Sequence, residues 1–96
     1  MRFDGRTEKR VTMAIPVCLV AAEKLHAEPA MTVNVSPHGA RVTTRRRWLP
    51  EDQLRLASRS GAFRAQVKVV YCEPLKEGHF CVGLKFHSAF MSWQPI

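Results

Sequence analysis

Met31-Thr32-Val33-Asn34-Val35-Ser36-Pro37-His38-Gly39-Ala40-Arg41-Val42-Thr43-Thr44 reads as two strands joined by a turn. Met31, Val33 and Val35 alternate with Thr32, Asn34 and Ser36, and a period of two is the mark of an extended chain with one face towards a core. Pro37-His38-Gly39 then interrupts the pattern with residues that turn chains, and Gly39 is a candidate for a positive φ. Ala40, Val42 and Thr44 resume the alternation against Arg41 and Thr43. On this reading Asn34 and Ser36 share the outer face, opposite the apolar side chains. Asparagine is disfavoured inside strands, so its presence at position 34 asks for a reason.

Working outward from this hairpin, the same alternation recurs. Met13, Ile15, Val17 and Leu19 form a strand-like run, with Pro16 marking an edge position or a bulge. Ala21 to Pro29 reads as a polar connection. Arg45 to Asp52 reads as a loop, Leu54 and Leu56 as a short strand, and Ser58 to Gly61 as a turn. Phe63, Ala65, Val67, Val69 and Tyr71 stand against Arg64, Gln66 and Lys68 in the clearest strand of the chain. Glu73 to Gly78 makes a hairpin loop, after which Phe80, Val82, Leu84 and Phe86 alternate with Cys81, Gly83 and Lys85. Six short strands without an amphipathic helix predict an all-β fold, an antiparallel barrel or sandwich. Closure into a barrel would also protect the sheet edges. Three parts are expected: a flexible basic arm over residues 1–10, a barrel over 11–87, and a short tail over 88–96.

At 96 residues with 46% apolar and 24% charged residues, the composition is that of one globular domain. A formal charge of +7 points to an anionic partner without naming it. No apolar run is long enough to span a membrane and no signal-peptide pattern follows Met1, so a cytoplasmic protein without membrane insertion is expected. Cys18, Cys72 and Cys81 lie in apolar stretches and read as reduced core or strand residues rather than a disulfide framework. Cys72, His79 and Cys81 lack the paired spacing of a zinc site. His26, His38 and His87 have no nucleophile or carboxylate at a suggestive spacing, so no catalytic residue is nominated. Arg45, Arg46 and Arg47 before Trp48 could offer phosphates and bases a surface, or simply be a solvated loop beside a semi-buried aromatic.

Two motifs remain. Arg6 and Arg10 form an R-x-x-x-R pair just before the first strand, and Asn34, Ser36 and Gly39 form an N-x-S-x-x-G turn at the end of the second. R-x-x-x-R also occurs at Arg2/Arg6, Arg41/Arg45 and Arg55/Arg59, but only Arg6/Arg10 and Arg2/Arg6 precede the first strand. Arg6/Arg10 fits better, because Arg2/Arg6 would leave Arg10 in the approach to that strand. In this order the two motifs resemble the signature of the PilZ domain family, whose members bind the bacterial second messenger cyclic di-GMP. Gly83 in Val82-Gly83-Leu84-Lys85-Phe86 matches the family's last barrel strand.

The resemblance implies a six-stranded antiparallel β-barrel of the split-barrel type and a non-catalytic sensor that relays cyclic di-GMP to a partner protein. It also implies cyclic di-GMP as the ligand, with no cofactor, and Arg6, Arg10, Asn34, Ser36 and Gly39 as the binding residues. In the family the Asp or Asn and the Ser contact guanine while the Gly shapes the turn. The residue before the first arginine is thought to influence whether one or two ligands bind; here it is Gly5. A downstream protein partner and a monomer or homodimer are expected. The alternatives are a PilZ-fold adaptor that binds no nucleotide, or a small basic barrel that binds nucleic acid.

Overall fold

The computed structural model describes residues 11–21, 27–61 and 63–89. They form a closed six-stranded antiparallel barrel with no helix beyond one short 3-10 turn at Lys76–Gly78. The strands are β1 (Val11–Thr12), β2 (Pro16–Ala21), β3 (Ala27–Ser36), β4 (Gly39–Thr44), β5 (Gln53–Ser58), β6 (Arg64–Pro74) and β7 (Phe80–Ala89). β1 and β2 both pair with β3 and together form one stave. From β3 the sheet runs through β2, β5, β6, β7 and β4, and β4 returns to β3. Every stave therefore has two hydrogen-bonded neighbours, which removes the open edges that invite further strand pairing.

The alternation read from the sequence fills the interior. Leu19, Val42, Val67, Val69 and Val82 are fully enclosed, with Val17, Leu54, Leu56 and Leu84 nearly so. Phe63 and Phe86 pack with ring centroids 5.7 Å apart, an edge-tilted contact of the kind aromatic pairs prefer. Two sequence expectations are corrected here. Ala27 to Pro29 is not connection but the start of β3, paired with Cys18 to Val20. The 88–96 tail also begins later than expected, since β7 continues to Ala89. The arm over residues 1–10 lies outside the described residues, as does the tail from residue 90 onward.

The third correction concerns β3 itself. Its alternation is broken by a bulge between Thr32 and Asn34. Thr32 opposes Val42 and Asn34 opposes Arg41, so Val33 is the extra residue. One inserted residue shifts the phase by half a pleat. Ala30 and Thr32 therefore point inward before the bulge, and Val35 points inward after it. Met31 and Val33, expected inside, stand 42% and 37% exposed.

Thr32 earns its buried position through its hydroxyl. Oγ1 accepts a 2.7 Å hydrogen bond from the Ile15 N–H and donates to the Met13 carbonyl. These are backbone groups in the gap between β1 and β2, where the regular ladder is interrupted. The gap is further tied by Met13 N to Val33 O at 3.2 Å and Thr32 N to Ile15 O at 3.0 Å. Thr32→Val keeps the shape but leaves both Oγ1 partners without a bond, a loss of about 1–3 kcal/mol. A lowered urea midpoint with unchanged slope is the expected result. An unchanged midpoint would mean that water satisfies both groups.

Candidate functional site

The end of β3, the start of β4 and the adjoining parts of β6 and β7 enclose an open depression on the outside of the barrel, about 220 Å³ in volume. Its position follows from strand register. Asn34 pairs with Arg41, Arg41 with Gly83, and Gly83 with Tyr71, so one row of residues crosses four strands. A second row runs from Ser36 through Gly39 to Lys85. Asn34, Ser36, Gly39, Arg41, Tyr71 and Lys85 all line the depression.

The bulge does not spoil the expected pairing of Asn34 with Ser36. Both follow it, both lie half-buried, and both are on the outer face while Val35 is inside. The Asn34 side-chain amide makes no hydrogen bond to a described residue, so its donors and its acceptor are open to an incoming group. Ser36 is partly committed. Its hydroxyl donates to the Gly39 carbonyl at 3.4 Å and accepts from the His38 N–H at 3.3 Å, which closes the turn. A hydroxyl has a second lone pair, so Ser36 retains one acceptor site.

Gly39 has a different role from the one its turn position suggests. Among the described residues the glycines with positive φ are Gly61 and Gly78, not Gly39. Gly39 is required by proximity: a Cβ there would stand 2.2 Å from the Leu84 carbonyl oxygen of β7. The turn is further fastened by the Phe86 N–H, which donates to the His38 carbonyl at 2.8 Å. Gly83 is open for an analogous reason. The Tyr71 ring lies across it, 2.2 Å from where a Cβ would be, and its hydroxyl accepts a 2.8 Å hydrogen bond from Arg41 Nε.

Electrostatically the depression is one-sided. Arg41 and Lys85 line it, and among the described residues no Asp or Glu does. The ion pair between Lys68 and Glu51, at 3.5 Å, lies outside this lining. Next to Tyr71, burial pushes the Cys81 thiol up, with the Arg41 charge pulling it part of the way back. Its thiol stays protonated at neutral pH and is not a primed nucleophile.

Of the residues singled out from sequence, the fold brings Asn34, Ser36 and Gly39 together. Arg6 and Arg10 lie outside the described residues. The competing Arg55/Arg59 pair sits on β5 and the turn after it, separated from β3 by β2. Trp48 is 4% exposed, and Arg46 covers its ring at 5.0 Å, so it presents no face to a base. Among the described residues no cluster of His, Cys, Asp or Glu could hold a metal ion. The three cysteines are free. Arg41, Tyr71 and Lys85 were not legible as site residues: the alternation set Arg41 and Lys85 outward but grouped Tyr71 with the inward side chains, whereas an irregularity between Val69 and Tyr71 turns it towards the depression, and the sequence does not show which strands lie side by side.

Comparison with known proteins agrees with this architecture. No curated protein matches the chain at a significant level. The structure of the Bacillus subtilis inhibitor of motility (MotI/DgrA) superposes with a TM-score of 0.71 at 16% identity, over 92% of this chain and 45% of that one. That likeness is one of fold, and the chain spans less than half the length of its neighbour. Among the described residues no helix is long and apolar enough to cross a membrane. The family model for the PilZ domain matches residues 4–90, a span holding both the R-x-x-x-R pair and the Asn34–Gly39 turn. With that match over nearly its whole length and a closed six-stave barrel beneath it, the chain belongs to the PilZ domain family.

Proposed function

We propose that this PilZ domain is a non-catalytic sensor that binds cyclic di-GMP and passes the signal to a partner protein. The observation that carries this reading is where the N-terminal segment joins the barrel. β1 pairs Val11 with Val35 and Thr12 with Asn34, so the chain enters beside the Asn34–Ser36 edge of the depression. Arg10 is bonded directly to Val11, and Arg6 precedes it by one R-x-x-x-R step. Five residues of extended chain reach at most about 17 Å, enough to lay both arginines along one small ligand.

The chemistry is complementary. Guanidinium forks pair with phosphate oxygens and with the O6/N7 edge of guanine, and they stack on purines. The open amide of Asn34 faces the donors and acceptors of a guanine edge. A depression of about 220 Å³ is below the roughly 300–1,000 Å³ that encloses a drug-sized ligand, so the arm would supply the second wall. Ligand binding then favours the arm-closed state by its extra affinity for that state alone. Met31 and Val33, turned outward by the bulge next to Asn34, offer a partner an apolar surface adjoining the ligand. The same surface supports the second reading, an adaptor that docks a protein without any nucleotide.

Calorimetric titration at two salt concentrations separates these readings. Cyclic di-GMP is expected to bind, with GMP and cyclic di-AMP far weaker. Adenine reverses the donor pattern at position 6 and would leave the site's polar groups unpaired. Equal affinity for the two cyclic dinucleotides would reduce the site to a general anion pocket. Absence of cyclic di-GMP binding would leave the adaptor. Tight binding of duplex or single-stranded nucleic acid at physiological salt would instead make the +7 charge a nucleic-acid surface.

A further inference from the structure

Arg41 belongs to neither sequence motif as read above, yet it occupies the middle of the site. Its backbone is fixed between Asn34 on one side and Gly83 on the other. Its side chain is held by the 2.8 Å bond from Nε to the Tyr71 hydroxyl. That bond depends on Gly83, since only a residue without a Cβ lets the Tyr71 ring lie across β7. Nε is thus engaged, while the two terminal nitrogens of the fork have no hydrogen bond or carboxylate partner among the described residues. A half-buried guanidinium in a depression lined by Lys85 and, among the described residues, by no acid is arranged to receive an anion.

We infer that Arg41, oriented by Tyr71, is a third arginine of the ligand site and holds a phosphodiester of the cyclic dinucleotide. The inference rests on the cyclic di-GMP reading and adds a division of labour to it. Arg6 and Arg10 come from the segment before the barrel, whereas Arg41 projects from a strand with two hydrogen-bonded neighbours. An anchor already set in position loses little freedom on binding, which is where preorganised sites gain affinity. Tyr71 is a positioning residue, because its hydroxyl acts through the guanidinium.

The test is titration of cyclic di-GMP into the full chain and into Arg41→Gln, Arg41→Lys, Tyr71→Phe and the Arg41→Gln/Tyr71→Phe double variant, each with a thermal melt. Arg41→Gln is expected to weaken binding roughly ten- to hundredfold, the loss of a charge-assisted contact. Arg41→Lys restores only part of it, because an ammonium group lacks the planar fork. Tyr71→Phe keeps the ring over Gly83 and weakens binding severalfold. In the Arg41→Gln background it has no further effect, since the two residues act as one unit. All variants are expected to melt close to the parent. If Arg41→Gln binds like the parent, the inference is overturned. Additive losses in the double variant, or losses that track melting temperature, overturn the positioning role of Tyr71. A parent chain that binds no cyclic di-GMP overturns the functional reading beneath it, and this inference with it.

Discussion

Gly39→Ala is expected to destabilise the barrel by about 3 kcal/mol, at the upper end of what overpacking costs. At roughly 4–8 °C per kcal/mol for a domain of this size, the melting temperature falls by on the order of 15 °C. The added methyl would sit 2.2 Å from the Leu84 carbonyl oxygen, and that atom is backbone in the β4–β7 ladder. It cannot swing aside as a side chain would. Relief requires β4 to part from β7 where the barrel closes. Thermal unfolding followed by circular dichroism measures the effect directly. A shift of only a degree or two would show that the ladder yields at little cost, and that Gly39 is needed for something other than strand proximity. The prediction also bears on how ligand data are read. Weak binding by a Gly39 variant would report a damaged turn, not a lost ligand contact.

Arg10→Ala and Arg6→Ala are expected to do the opposite: large losses of cyclic di-GMP affinity with melting temperature nearly unchanged. Each arginine would supply at least one charge-assisted hydrogen bond, about 1.5–3 kcal/mol, or roughly ten- to over a hundredfold in affinity. Both precede the first strand in sequence, and the core is filled by residues from Val17 onward, so little loss of stability is expected. Arg55→Ala and Arg59→Ala are the matched controls. They remove an equal amount of charge from an R-x-x-x-R pair that β2 separates from β3, and should leave the ligand's affinity unchanged. Calorimetry on the four variants at one salt concentration decides the matter. Equal losses from both pairs would mean that net charge, rather than a site, attracts the ligand. Loss from Arg55 and Arg59 alone would place the ligand elsewhere on the barrel.

Local alternation was legible from the chain alone because it depends only on the pleat, which sends successive side chains to opposite faces. It gave the all-β class, the inward positions of Val67, Val69, Val82 and Leu84, and the common outer face of Asn34 and Ser36. The N-x-S-x-x-G spacing located one edge of the depression for the same reason: a turn brings its own ends together. What the alternation could not show is anything set by pairing between distant segments. The bulge at Val33 is invisible in Met31–Ser36, because it exists only relative to the register of β4; it turned Thr32 inward and Met31 and Val33 outward. Gly39 looked like a turn residue, and only the approach of β7 revealed that it makes room for a carbonyl. Arg41 and Tyr71 are 30 residues apart in the chain, and nothing local to either residue predicts their hydrogen bond. Barrel closure put β4 beside β7 and β7 beside β6, and the absent side chain of Gly83 let one reach the other.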